Sequence, residues 1–153
     1  MLRARATRLL TAAALSALAA CGIPDQGPAM QPGQDCMGCH DGAVAAPAWT
    51  VAGTVFSDPN APLNAGMPNA QVIITDANQQ TLTLNTNSAG NFYTAEPVVF
   101  PLSVQIQRGT WKMAMQSSPS SGSCNSCHSI PKGNPGVPGR LFIPYQQLSK
   151  TAR

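Results

Sequence analysis

The sequence predicts an all-β protein, a small β-sandwich of Greek-key type. Six short segments after residue 48 alternate apolar and polar side chains and are rich in β-branched and aromatic residues, which is typical of half-buried strands. Gly, Pro, Asn and Asp turn signals separate these segments. No amphipathic helix of useful length follows the N-terminal segment, so helices contribute little to the predicted fold.

The predicted strands follow one another closely along the chain. They are residues 49–58 (WTVAGTVFSD), 70–77 (AQVIITDA), 80–86 (QTLTLNT), 90–96 (GNFYTAE), 101–107 (PLSVQIQ) and 110–116 (TWKMAMQ). The predicted sandwich therefore covers residues 49–116, and its alternating apolar positions define a core. The predicted core residues are Val51, Val55, Val72, Ile74, Leu82, Leu84, Phe92, Val104 and Ile106.

The N-terminus has the layout of a secretory signal peptide over residues 1–20. Three arginines precede a short apolar segment that ends in small residues and is too short to span a bilayer. The sequence LAACG at residues 18–22 resembles a bacterial lipobox. That resemblance implies lipidation of Cys21 and, with Gly22 after it, an outer-membrane location in the bacterial cell envelope. An ordinary cleavable signal is the alternative.

The charge of the chain gives no indication of a nucleic-acid partner. Nine basic and six acidic residues give a formal charge of +3, but three arginines belong to the signal peptide. Residues 21–153 are therefore balanced, with no Lys/Arg-rich run and no phosphate-binding loop.

Two C-x-x-C-H motifs contain both histidines and all the cysteines except Cys21. They are CMGCH at residues 36–40 and CNSCH at residues 124–128. This pattern is the attachment signature of c-type haem: two thiols bind the porphyrin vinyl groups, and the next histidine ligates iron. The prediction is two covalent c-type haems. The attachment residues are Cys36, Cys39, Cys124 and Cys127, and the iron ligands are His40 and His128.

Three other uses of these cysteines compete with haem. Two disulfides are plausible in an oxidising compartment but leave the histidines unexplained. A zinc site needs ligands from both motifs, which lie 88 positions apart. A thioredoxin-like redox pair needs a βαβ context, which the pattern lacks.

The second axial ligand of each haem cannot be a histidine of this chain. Met115 and Met113 are the candidates for the second haem, since they share one strand face with Trp111 and lie shortly before Cys124. Met67, in a loop where a large apolar side chain has no obvious core role, is the candidate for the first haem.

The flanking segments complete the predicted organisation. Residues 21–35 are a flexible tether rich in Pro, Gly and Gln, and residues 36–48 are the first haem-binding loop. Residues 117–153 hold the second haem-binding loop and an irregular tail. The motifs precede and follow the sandwich, so they can fall at its opposite ends, with haems brought together by stacking of chains.

Residues 51–107 resemble the carboxypeptidase-regulatory-like, or transthyretin-like, β-sandwich family. The resemblance rests on VAGTVF, PLNAGMPNAQVIITDA, TNSAGNFY and PLSVQIQ. It implies a sandwich without catalytic residues of its own.

The predicted function is one-electron transfer by a di-haem cytochrome lipoprotein, with other cytochromes as redox partners and no enzyme activity. A haem peroxidase or gas sensor with an open distal site is one alternative. A haem-free, disulfide-stapled binding module is the other.

Overall fold

The protein is an all-β structure of two sheets, as the sequence predicts. A computed structural model describes residues 27–45, 47–128 and 139–144. Its strands are β1 (Val51–Phe56), β2 (Gln71–Thr75), β3 (Thr81–Asn85), β4 (Asn91–Thr94), β5 (Ser103–Arg108), β6 (Trp111–Ala114) and β7 (Leu141–Phe142). The first six lie where strands are predicted, and β5 extends one residue further. In the described ranges the α-helical content is one short segment, α1 (Asn125–His128).

One sheet has four antiparallel strands in the order β3-β2-β5-β6, and the other has three in the order β4-β1-β7. Strand β1 pairs antiparallel with β4 and parallel with β7. Apolar side chains from both sheets form the core. Leu82 and Leu84 are half-buried, not buried as predicted, because β3 is an edge strand.

Strand β1 is buried at all six positions, unlike the alternating strands β2 and β5. Side chains on one face of β1, such as those of Val51 and Val55, belong to the core. Its opposite face is covered by chain from outside the predicted sandwich: Gly33 donates to Thr54 Oγ1 over 2.9 Å, and the Arg140 guanidinium lies 4.5 Å from the Phe56 ring centre. Chain therefore covers β1 on both faces, as in a sheet that is buried on two sides.

The second C-x-x-C-H motif lies beside β1, between two short parallel pairings. Ser123 bridges to Ala52, and Cys124 donates its backbone N–H to the Ala52 carbonyl over 3.0 Å. Further along β1, Ile143 donates to the Phe56 carbonyl over 2.9 Å. The C-terminal segment thus returns to the sandwich, with β7 at its edge.

The predicted flexible tether is wrong for residues 27–35. This stretch lies against the sandwich, where Gly33 is buried and the Met30 carbonyl accepts a hydrogen bond from Asn91 Nδ2 over 2.8 Å. Backbone groups that bond to buried side chains fix its position. The predicted signal peptide and Cys21 lie outside the described residues, among which no helix is long and apolar enough to cross a membrane.

Candidate functional site

The structure brings the two C-x-x-C-H motifs together beside one strand. The Asn125 amide nitrogen, inside the second motif, lies 3.9 Å from Cys36 Sγ in the first. Ser123 Oγ donates to Asp35 Oδ1, which joins the residues that immediately precede the motifs. The expectation that the motifs fall at opposite ends of the sandwich is therefore wrong. The segment before Cys36 and the segment before Cys124 both pack on β1, so the site is one composite surface.

In the part of the chain that the structure describes, the histidine of the second motif has one bonded and one unbonded ring nitrogen. His128 ends α1, and its Nδ1 lies 2.6 Å from the carbonyl oxygen of Gly139. A carbonyl accepts only, so Nδ1 carries the proton and Nε2 is left with a lone pair. His128 Nε2 is buried and has no hydrogen-bond partner among the described residues. Metal-ligating histidines usually have this arrangement, in which the second ring nitrogen donates to a carbonyl.

The histidine of the first motif also has Nδ1 beside a backbone carbonyl, but His40 is more exposed than His128. Asp35 caps a 3₁₀ turn at Cys36–Gly38 by accepting from the Met37 N–H over 3.2 Å. His40 Nδ1 lies 3.3 Å from the Pro47 carbonyl oxygen. The His40 ring also stacks on Trp49, with ring centres 5.0 Å apart, and Trp49 stacks on Tyr93 at 4.4 Å. Hydrogen bond and stacking together orient the imidazole ring.

The four motif thiols differ in state and exposure. Cys36, Cys124 and Cys127 are free, whereas Cys39 is disulfide-bonded. Burial raises the pKa of the Cys124 thiol to about 12, and the nearby Cys36 adds to the effect. Burial, and next Asp35, also raises the pKa of Cys36. Neither motif contains an internal disulfide, and a haem at the first motif needs Cys39 reduced.

A buried polar network supports the site, and the sequence pattern did not reveal it. Thr54 Oγ1 donates to Asn91 Oδ1 over 2.8 Å and accepts from Asn125 Nδ2 over 3.1 Å. Its third partner is the Gly33 N–H, so the hydroxyl is fully used. All three side chains are buried. Thr54 lies on the face of β1 opposite to Val51 and Val55, where the alternating pattern predicts an ordinary exposed polar residue, so the strand pattern carries no signal of this network.

The methionine candidates are not placed alike. Met67 is 1% exposed and belongs to the core, and its sulfur lies 2.7 Å from Arg108 Nη1. The expectation that Met67 lacks a core role is wrong, which removes the reason for predicting Met67 as the distal ligand of the first haem. Met115 is half-buried and packs against the core beside Trp111, whereas Met113 is 44% exposed on the edge strand β6.

The described residues also bear on the zinc alternative. The proximity of the two motifs would suit a zinc site that joins them, but the described ranges contain no group of three or more His, Cys, Asp or Glu arranged to hold a metal ion.

A mainly apolar groove of about 420 Å³ lies beside the motifs, lined by Met37, Val98, Phe100 and Gly122 among others. Such a surface suits the flat, apolar face of a porphyrin.

No protein-family model, curated protein or solved structure matches this chain.

Proposed function

We propose that the protein is a di-haem c-type cytochrome that transfers single electrons at the bacterial cell envelope. The observation that supports this most strongly is His128: its Nδ1 bonds to the Gly139 carbonyl, while its Nε2 is buried and has no partner in the described part of the chain. An unsatisfied buried nitrogen is costly, and coordination to iron would remove that cost. His40, with Nδ1 against the Pro47 carbonyl, fits the same role at the first motif.

Each C-x-x-C-H motif would hold one haem. Cys36 and Cys39 would attach one haem, and Cys124 and Cys127 the other, with His40 and His128 as iron ligands. A bound haem supplies reversible one-electron chemistry. The protein contributes ring orientation through the two carbonyls and through Trp49. Met115 and Met113 remain candidates for a distal ligand at the second haem.

A lipid anchor at Cys21 would hold the protein at the outer membrane, where its partners would be other cytochromes. Acyl chains bind a bilayer by about 0.8 kcal/mol per buried CH₂, so two or more chains anchor stably. The balanced charge of residues 21–153 agrees with a protein partner and not with nucleic acid. Assembly of several copies through their haem surfaces belongs to the same proposal.

The test is a count of covalent haem. The chain is expressed with a cytochrome c maturation system, stained for haem on a denaturing gel and assayed as the pyridine haemochrome. We expect two haems per chain in the unmodified protein, one in the Cys124→Ala/Cys127→Ala variant and one in the Cys36→Ala/Cys39→Ala variant. The absence of covalent haem from all three would overturn the proposal.

The disulfide at Cys39 favours a second candidate function, a haem-free binding module stapled by a single disulfide, since the other three motif cysteines are free. In an oxidising compartment a small sandwich gains stability from such bonds. Mass spectrometry of the exported protein separates the candidates. Thioether-bound haem on all four motif cysteines supports the cytochrome, whereas a Cys39 disulfide in haem-free protein supports the binding module.

A further inference from the structure

We propose that Asn125 is a positioning residue that fixes the spacing between the two C-x-x-C-H motifs, so that the two haems form one coupled pair within a single chain. The part of this inference that concerns haems rests on the function proposed above. The part that concerns the motifs rests on the contacts of the Asn125 side chain.

The Asn125 amide connects three separate stretches of chain. Its Oδ1 accepts from the Thr54 backbone N–H over 3.0 Å. Its Nδ2 donates to the Gln34 carbonyl over 2.7 Å and to Thr54 Oγ1 over 3.1 Å. Asn125 is 1% exposed, so each of these bonds forms out of contact with water. Losing the amide would leave several buried polar groups without partners.

The position of Asn125 gives this network its effect on the site. Asn125 directly follows Cys124, and Gln34 lies two residues before Cys36. One short side chain therefore joins the two motifs across 91 positions of sequence. Because a side chain with two χ angles has little freedom when all its polar atoms are bonded, the motif spacing is held tightly.

A second bond acts in parallel. Ser123 Oγ donates to Asp35 Oδ1, and that same oxygen accepts the Met37 N–H that begins the first motif's 3₁₀ turn. Ser123 also bridges to Ala52 of β1, so both links share one base. Unlike Asn125, Ser123 is not fully buried, and its hydroxyl can be removed with less damage to the fold.

The consequence for the haems follows from covalent attachment. Each porphyrin is bound by its own motif, so the spacing of the motifs sets the spacing of the porphyrins. A fixed, short spacing makes each iron sense the charge of the other, and it couples the two porphyrin transitions. A loosened spacing weakens both effects without removing either haem.

The first test uses the haem-loaded, full-length protein. Asn125→Ala and Ser123→Ala are compared with unmodified protein and with Asn78→Ala, an exposed asparagine in the β2–β3 turn. We expect two covalent haems in every variant. The paired Soret circular dichroism bands should lose about half their amplitude or more in Asn125→Ala and lose less in Ser123→Ala. Asn78→Ala should leave the signal unchanged. An unchanged signal in both Asn125→Ala and Ser123→Ala would overturn the inference.

The second test stands even if no haem is bound. The parent protein for this test is made without haem maturation and carries Cys21→Ser, Cys39→Ser and Cys127→Ser, so that Cys36 and Cys124 are its only cysteines. Oxidised glutathione accepts the two electrons as these thiols form a disulfide, and the equilibrium gives their effective concentration. We expect a decrease of roughly tenfold in Asn125→Ala, the effect of losing buried hydrogen bonds, and no decrease in Asn78→Ala. Failure of the parent protein to form the disulfide, or equal values in Asn125→Ala and the parent, would overturn the inference.

Discussion

Gly53 lies directly beneath Cys124, and there is no room between them for another carbon atom. A Cβ built on Gly53 would lie 2.8 Å from the Cys124 Cβ and 2.7 Å from Phe92 Cζ. Gly53 is in the middle of β1, where it pairs with Phe92 of β4. Its role is thus the close approach of Cys124, in the second C-x-x-C-H motif, to the central strand, and not the turn or bulge that a strand glycine often marks.

Gly53→Ala should displace Cys124 from β1. The added methyl group meets packed atoms on two sides, so we expect a loss of about 1–3 kcal/mol in the free energy of unfolding. Urea denaturation of the haem-free protein measures this loss. Gly38→Ala, in the first motif, is the matched control because its Cβ would meet nothing nearer than Asp35 Oδ2 at 3.7 Å. Equal losses in both variants would contradict the packing argument.

The haem-free thiols should react at very different rates. Cys127 is exposed, whereas burial raises the pKa of Cys124 to about 12. Only the thiolate attacks an alkylating reagent, so at about pH 8 we expect Cys124 to react roughly 100-fold more slowly than Cys127. Peptide mass spectrometry after timed iodoacetamide treatment measures both rates. Denatured protein, in which both thiols are free of burial, should show nearly equal rates. A fast Cys124 in the folded protein would argue against its burial.

Trp49→Leu should disturb the first motif only. Trp49 stacks on His40, and such pairs contribute about 0.5–1.5 kcal/mol beyond burial. In the haem-loaded protein we expect an altered reduction potential for one haem and an unchanged potential for the other, measured by spectroelectrochemical titration. Trp111→Leu is the control, because Trp111 packs at the edge of the core. Two unchanged potentials in Trp49→Leu would show that the stacking does not reach the iron ligand.

Ile143→Ala should release the C-terminal segment from the sandwich. Ile143 is fully buried in the core and bonds through its N–H to Phe56 of β1. A large-to-small change at such a position costs about 2–5 kcal/mol. Thermal unfolding should show this loss, and Val99→Ala, at an exposed residue, should change stability by less than about 0.5 kcal/mol. A stability loss no larger than that of Val99→Ala would mean that Ile143 adds nothing to the core.

Met115→Leu and Met113→Leu test distal ligation at the second haem. A methionine ligand raises the reduction potential relative to a second histidine or an open site. We expect one of the two variants to lower the potential of one haem. Met67→Leu conserves volume in the core and should leave both potentials unchanged. Unchanged potentials in both Met115→Leu and Met113→Leu would exclude these methionines as ligands and would favour the alternative of a peroxidase or gas sensor with an open distal site.

The strands were predictable because each is a local pattern. Alternation in QVIIT of β2 and SVQIQR of β5 marks one buried face, and the structure buries Val72, Ile74, Val104 and Ile106 accordingly. β1 was predicted as a strand, but its burial on both faces was not, because its second face is covered by distant parts of the chain that include Gly33, Asn125 and Arg140. No local period records a contact between segments so distant in sequence.

The sequence by itself determined six strands of the sandwich and the two C-x-x-C-H motifs, which contain both histidines of the chain. Side-chain type and short spacing encode such features directly. Only the tertiary structure decided that the two motifs lie side by side, that Met67 belongs to the core and that residues 27–35 pack on the sandwich. Those outcomes depend on which buried polar groups form hydrogen bonds. Asn125 and Thr54 form theirs only when the segments around the two motifs pack together on β1.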